Sequence, residues 1–184
     1  MNKKLVEEIS KLREKEIALV ICSQANVPET NTDLLKLIAE NGSHAIALSI
    51  THPYESLEKE LGKLSKKFFF IDCISRSGGL EERGENHLCV DNPARLTEIG
   101  IAITEGFKAL PEGKKFLFVD AISGLSVYTN KSVFSNFSRF LTGKTREFGA
   151  CGVIVSVANA MDNDMQSQLA QFCDKVIDIS KGEE

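Results

Sequence analysis

The sequence lacks long hydrophobic runs. Apolar residues make up 42% of its 184 residues, but no run approaches the length of a membrane-spanning helix. The first residues, MNKKLVEEISKLREKE, carry charges throughout, and no apolar segment with a small-residue cleavage site follows them. A secretory signal is therefore not expected. These absences predict a cytoplasmic protein without a membrane partner.

Paired cysteines and clustered histidines are also missing. Five widely separated cysteines, most of them in apolar stretches, predict reduced and buried thiols: Cys22, Cys73, Cys89, Cys151 and Cys173. Neither the cysteines nor the three histidines show the spacing of a zinc site, so no metal ligands are assigned. The net charge of −4 argues against a broad nucleic-acid surface, and nucleic acid is not an expected partner.

A complete phosphate-binding loop is the third absence. Gly143, Lys144 and Thr145 supply the last three letters of the P-loop signature, but its first glycine position carries Ser138. Apolar residues at helical spacing precede this Gly-Lys-Thr and place it near the end of a helix. Phosphate would meet the unfavourable end of the helix dipole there. A solvated helix end is the preferred interpretation.

The sequence does contain short apolar runs that alternate with amphipathic stretches, a pattern typical of parallel strands joined by helices. Strands are predicted at residues 17–23, 44–50, 67–74, 115–122, 151–158 and 175–180, and helices at 32–41, 54–64, 94–110 and 131–148. The predicted fold class is α/β, a three-layer α/β/α arrangement with a mainly parallel central sheet. Residues 1–16 are predicted as an amphipathic helix that packs on its own domain, residues 17–184 as that single domain, and residues 75–87 as a mobile surface loop.

Ligands of open parallel sheets bind beyond the carboxyl ends of the strands. Six polar residues lie at those ends and form a candidate cleft: Ser23, Thr51, His52, Asp72, Asp120 and Ser123. Asp72 and Asp120 each close an apolar strand, as a Walker B carboxylate that holds Mg²⁺ does, but a carboxylate there caps a neighbouring turn or helix at least as often. His52 is a candidate acid or base, although a lone histidine beside a proline turn is more often structural.

The segment after the first strand, SQANVPETNTD, is poor in the features that bind phosphate. It has no glycine, and no Lys or Arg lies between Lys15 and Lys36. Glu29 and Asp33 stand where a phosphate would need positive charge. The sequence therefore predicts no phosphate cradle at this strand end.

The ordered segments resemble those of RecA-like ATPases of the KaiC type, which are abundant in archaea. The resemblance covers residues 17–180 and is most specific over 115–158, where KFLFVDAIS and the segments after it match a Walker B strand, a loop, a helix and the next strand. It implies a degenerate Walker B role for Asp120. The family's P-loop has no counterpart after the first strand, and Thr51 and His52 stand in place of its catalytic glutamates. The chain therefore resembles an inactivated member.

Such a resemblance implies a non-catalytic regulatory or scaffolding role, as in signal transduction, through contacts with a second copy or an active RecA-like relative and without a cofactor. The alternative is an ATP-binding protein or weak ATPase with a non-standard phosphate loop, in which Asp120 holds Mg²⁺ and Lys144 or Arg146 reaches the nucleotide of a neighbouring subunit. A third interpretation is another small ligand at the strand ends, near Gly124 and the hydroxyls that follow it.

Overall fold

The computed structural model describes residues 2–75 and 86–181. Its strands are β1 (Ile17–Cys22), β2 (His44–Ser49), β3 (Phe68–Asp72), β4 (His87–Cys89), β5 (Lys115–Val119), β6 (Cys151–Val157) and β7 (Lys175–Asp178). They form a seven-stranded sheet in the order β4-β3-β2-β5-β6-β1-β7. All of its strand pairs are parallel, because each connection crosses over the sheet.

Helices cover both faces of the sheet: α1 (Lys3–Ser10), α2 (Val27–Glu40), α3 (Tyr54–Leu61), α4 (Leu96–Ala109), α5 (Lys131–Glu147) and α6 (Asn163–Gln171). Alternate residues of β1 feed two hydrophobic clusters. Ala18 and Val20 pack with α1, α2 and α3, whereas Ile17 and Leu19 pack with α4, α5 and α6. Burial on both faces explains the continuous apolar runs of the strands. The predicted three-layer α/β/α fold is confirmed.

The start of α2 differs from the prediction. The helix begins at Val27, and not after Thr30 or Asn31, because Pro28 lies in the first turn, where its missing N–H is not needed. A short 3-10 turn, Gln24–Asn26, joins it to β1. The segment after β1 is therefore a helix start and not an open loop.

The sequence patterns also missed β4 and α6, whereas the start of α5 agrees with the prediction. The Asn130 side chain caps α5 by accepting the Val133 N–H at 3.0 Å. The predicted loop at 75–87 falls mostly on residues 76–85, which lie outside the described residues, and its last residue, His87, begins β4.

The N-terminal helix is shorter than the predicted 1–16 and ends at Ser10. Leu5, Ile9 and Leu12 are each only 2% exposed, so this segment packs on its own domain. In the described ranges, no helix is long and apolar enough to cross a membrane.

The cysteines form no disulfides. Burial raises the pKa of Cys151 to about 11 and that of Cys173 to about 12, which keeps both thiols protonated and unreactive at neutral pH. Across residues 2–75 and 86–181, no cluster of three or more His, Cys, Asp or Glu side chains is arranged to hold a metal ion.

Candidate functional site

Asp120 follows β5 directly, and its side chain is completely buried. Its carboxylate faces the residues that follow the neighbouring strand β2. The backbone N–H groups of Ile50, Thr51 (3.2 and 3.3 Å) and His52 (3.2 Å) all donate to it. The Thr51 hydroxyl donates from 3.0 Å, and His52 Nδ1 lies 3.3 Å away. One carboxylate therefore holds three successive residues of the connection between β2 and α3.

This connection, residues 50–54, has every backbone donor in use. Asp120 accepts the N–H groups of residues 50–52, Pro53 has none, and the Tyr54 N–H donates to Asp72 Oδ2 at 2.7 Å. Hydrogen bonds to an ionised carboxylate are roughly twice as strong as neutral ones. Two buried carboxylates thus fix the 50–54 connection on the end of the sheet.

Asp72, the last residue of β3, is also completely buried. Its Oδ1 accepts the N–H groups of Ile74 (2.7 Å) and Ser75 (2.9 Å), and its Oδ2 accepts the Ser75 hydroxyl at 2.6 Å besides the Tyr54 N–H. Because Tyr54 is the first residue of α3, this carboxylate caps both a turn and a helix. Asp72 and Asp120 therefore take the capping arrangement in this structure.

His52 is the one titratable partner of Asp120 in this contact. Its hydrogen bond to Asp120 is the main cause that raises the pKa of His52 above the ordinary 6.5; partial burial opposes this, and the charges of Asp120 and Glu60 add to the rise. The imidazole is anchored further by the Thr51 hydroxyl, 2.9 Å from Nδ1. The pair of Asp120 and His52 thus makes the 50–54 connection sensitive to pH.

We expect His52→Gln to remove a pH-dependent part of the stability. A raised folded pKa means that His52 stabilises the fold fully below pH 6.5 and loses this contribution as the pH rises through the folded pKa. Urea unfolding of wild type and variant at a series of pH values measures the difference, which should be largest at mildly acidic pH and vanish at alkaline pH. A difference that is constant with pH would contradict the pairing with Asp120.

The hydroxyls after β5 are engaged inside the chain. Ser123, 3% exposed, accepts the Val157 N–H at 3.1 Å, and the Ser126 hydroxyl donates to the Ser123 carbonyl at 2.7 Å. A Cβ on Gly124 would lie 2.9 Å from Thr51 Cγ2, so this segment packs closely against the 50–54 connection. The strand-end cleft between β2 and β5 is therefore filled by the protein's own residues.

Ser23, the remaining cleft residue, lies at the end of β1, which β6 separates from β5. The first turn of α2 follows after three residues and contains Pro28, which has no N–H, and Glu29, whose charge already complements the helix N-terminus. Sequence reasoning thus identified Thr51, His52 and Asp120 as neighbours in one contact, with Asp72 and Ser123 on the segments that flank it.

The Gly-Lys-Thr stretch lies near the end of α5, as predicted. Thr145 is buried, and its hydroxyl donates to the Leu141 carbonyl at 2.8 Å. The Lys144 ammonium contacts Glu147 at 2.8 Å. This tripeptide is helical, and its threonine bonds its own helix.

An apolar groove between α4 and α5 was missed by sequence reasoning. Its volume is about 600 Å³, and ten residues line it: Leu96, Thr97, Gly100, Ile101, Thr104, Glu105, Val133, Asn136, Phe137 and Phe140. Three of its apolar side chains are exposed: Ile101 by 61%, Val133 by 40% and Phe140 by 36%. The available signal was an excess of apolar residues on both helices, more than one face against the sheet needs.

No family model and no curated protein sequence matches the chain. Solved structures do match it. The KaiC-like protein PH0186 from Pyrococcus horikoshii OT3 superposes with a TM-score of 0.69 at 16% identity, over 93% of this chain and 75% of that one. The ATPase domain of a helicase superposes with a TM-score of 0.58 at 14% identity, over 90% of this chain and 69% of that one. This chain has a RecA-like fold.

A third protein with this RecA-like fold is PH0321 from Pyrococcus horikoshii, whose crystal structure contains an unknown peptide. It superposes with a TM-score of 0.69 at 11% identity, over 96% of this chain and 82% of that one. Identities this low establish the shared fold and not a shared activity.

Proposed function

We propose that this chain is a RecA-like domain that acts through protein contacts in a regulatory or scaffolding role, and that it neither binds nor hydrolyses ATP. The observation that carries the proposal is the engagement of Asp120, the residue at the Walker B position, by its own chain. Its carboxylate is fully buried and accepts hydrogen bonds from residues 50–52. A carboxylate used in this way is a structural cap and not a metal ligand.

The other residues at the strand ends do not fit a magnesium nucleotide either. A triphosphate needs a nest of N–H groups and a cation near the end of β1. Here a 3-10 turn leads directly into α2, whose first turn contains Pro28 and Glu29. At β2 the N–H groups that follow the strand already have carboxylate partners. These contacts support a role without nucleotide.

The alternative ATPase interpretation would require Lys144 or Arg146 to leave its present partners. Lys144 pairs with Glu147, and Arg146 donates to the Phe172 carbonyl at 2.9 Å and contacts Asp174 at 3.0 Å. Both residues lie at the C-terminal end of α5, where a basic residue complements the helix dipole. Their contacts support an intramolecular role.

The surface supports the protein-contact half of the proposal. The α4–α5 groove leaves Ile101, Val133 and Phe140 exposed, and exposed apolar patches of this kind are typical of contact sites. The peptide in the crystal of PH0321 is a property of that protein, and it supports the view that this fold is suited to holding a polypeptide. The partner proposed here is a protein, either a second copy or an active RecA-like relative.

Calorimetric titration of the wild-type protein with ATP and Mg²⁺ tests the nucleotide half of the proposal. We expect no binding up to about 1 mM nucleotide, because the groups at the described strand ends are already engaged within the chain. Light scattering on the same samples should give one mass with and without ATP. Saturable binding in the micromolar range that Asp120→Asn abolishes would contradict the proposal and favour the ATPase alternative.

A further inference from the structure

The α4–α5 groove has walls that are already in place. The Phe140 ring stacks on Phe137 with a centroid separation of 6.2 Å and an interplanar angle of 17°. The same ring crosses Gly100 so closely that a Cβ there would lie 3.0 Å from two of its atoms. Because Phe137 is itself only 6% exposed, Phe140 stands on a packed support. The groove therefore needs little rearrangement to receive a partner, which lowers the entropic cost of binding.

The dimensions of the groove suit a short helix. On α4 the lining residues run from Leu96 to Glu105, a length of about 13 Å at 1.5 Å per residue. That length matches two to three turns of a helix laid between α4 and α5. Helices bound in this way place apolar residues at positions i, i+3, i+4 and i+7 into the groove.

The charge of the groove indicates the chemistry of the partner. Among the ten lining residues, Glu105 is the only acidic or basic side chain. Its carboxylate contacts Lys108 at 2.8 Å in a pair in which both side chains are about 60% exposed or more, and such surface pairs contribute little. A basic residue on an incoming helix gives Glu105 a partner as the groove is covered. We propose that the α4–α5 groove binds an amphipathic helix of another protein that carries Lys or Arg opposite Glu105.

Two other occupants fit less well. A second copy joined by a two-fold axis would bury Glu105 against lining residues without a basic group, and an unpaired buried charge is costly. The chain's own amphipathic helix α1 already buries Leu5 and Ile9 in the cluster on the opposite face of the sheet. The charge thus favours a basic helix from a different protein, and this inference rests on the proposed protein-contact function.

Two labelled peptides test the inference by fluorescence anisotropy with the full chain. Both are designed helices of about 15 residues with Leu at i, i+3, i+4 and i+7. One carries Lys at the flank that meets Glu105, and the other carries Glu at the same position. We expect the Lys peptide to bind about five- to tenfold more tightly, with a preference that weakens in high salt.

Variants assign the binding to the groove. Ile101→Glu should weaken the Lys peptide at least about tenfold, because it places a charge in the apolar wall. Glu105→Lys should reverse the preference and favour the Glu peptide. Val176→Glu is the matched control, since Val176 is 51% exposed on the edge strand β7 and should leave binding unchanged.

Several results would overturn the inference: no binding of either peptide, a preference that Glu105→Lys leaves unchanged, or binding that Ile101→Glu does not weaken. A dimer in light scattering that Ile101→Glu dissociates would show instead that the groove joins two copies. The nucleotide titration stays independent of these results. Failure of the peptides without ATP binding removes the basic helix and leaves the protein-contact function, whereas ATP binding removes that function.

Discussion

Asp120→Ala is expected to lower the free energy of unfolding by about 3–4 kcal/mol. The substitution removes the acceptor of three backbone N–H groups, the Thr51 hydroxyl and the His52 ring at a completely buried position. Donors that lose a charged acceptor inside the protein keep the full cost of their desolvation. Urea unfolding at neutral pH measures the loss.

Asp164→Ala is the matched control for this experiment, because its side chain is 78% exposed and its ion pair with Lys131 lies on the surface. It should change the stability by less than about 0.5 kcal/mol. Asp120→Asn keeps one acceptor oxygen and should fall between the two. A loss below about 1 kcal/mol in Asp120→Ala would contradict the structural role assigned to this carboxylate.

Asp72→Ala is expected to cost about 2–4 kcal/mol for the same reason. Its carboxylate holds the start of α3 through Tyr54 and the turn after β3 through Ile74 and Ser75. Urea unfolding again gives the value, and far-ultraviolet circular dichroism shows whether α3 frays. An unchanged midpoint would contradict the capping role of Asp72.

Because both carboxylates hold the 50–54 connection, their effects should not add. A double-mutant cycle with the milder substitutions Asp72→Asn and Asp120→Asn is expected to show a coupling energy of at least about 0.5 kcal/mol. The double variant should lose less than the sum of the single losses, since the connection is released once. Strict additivity would mean that the two ends of the connection are held independently.

The sequence was sufficient for the architecture because local and tertiary preferences agree in this chain. Strand β1 is apolar at every position, which predicted burial on both faces, and Asn130 stands at the start of α5 as its cap. Helix α6 was missed because Met165 and Leu169 are its only buried residues. Strand β4 was missed because three residues are too few to show a period.

The candidate site could be predicted only in part. Sequence patterns placed Asp120 at a strand end but could not choose between a magnesium ligand and a cap, because its donors at residues 50–52 lie 68 to 70 positions away along the chain. The groove was out of reach for a related reason. Whether Ile101 and Phe140 are covered depends on the neighbours of α4 and α5 in the fold, and not on their own spacing.

The most direct test of the account is an amide nuclear magnetic resonance titration of the wild-type protein with ATP and Mg²⁺, read at Ile50, Thr51 and His52. These amides report on the Asp120 carboxylate itself, since all of them donate to it. The account predicts that their signals stay in place throughout the titration. Saturable shifts at these amides and at residues 23–27 would show that a nucleotide reaches the strand ends, and would contradict the central claim that the chain's own backbone occupies this carboxylate.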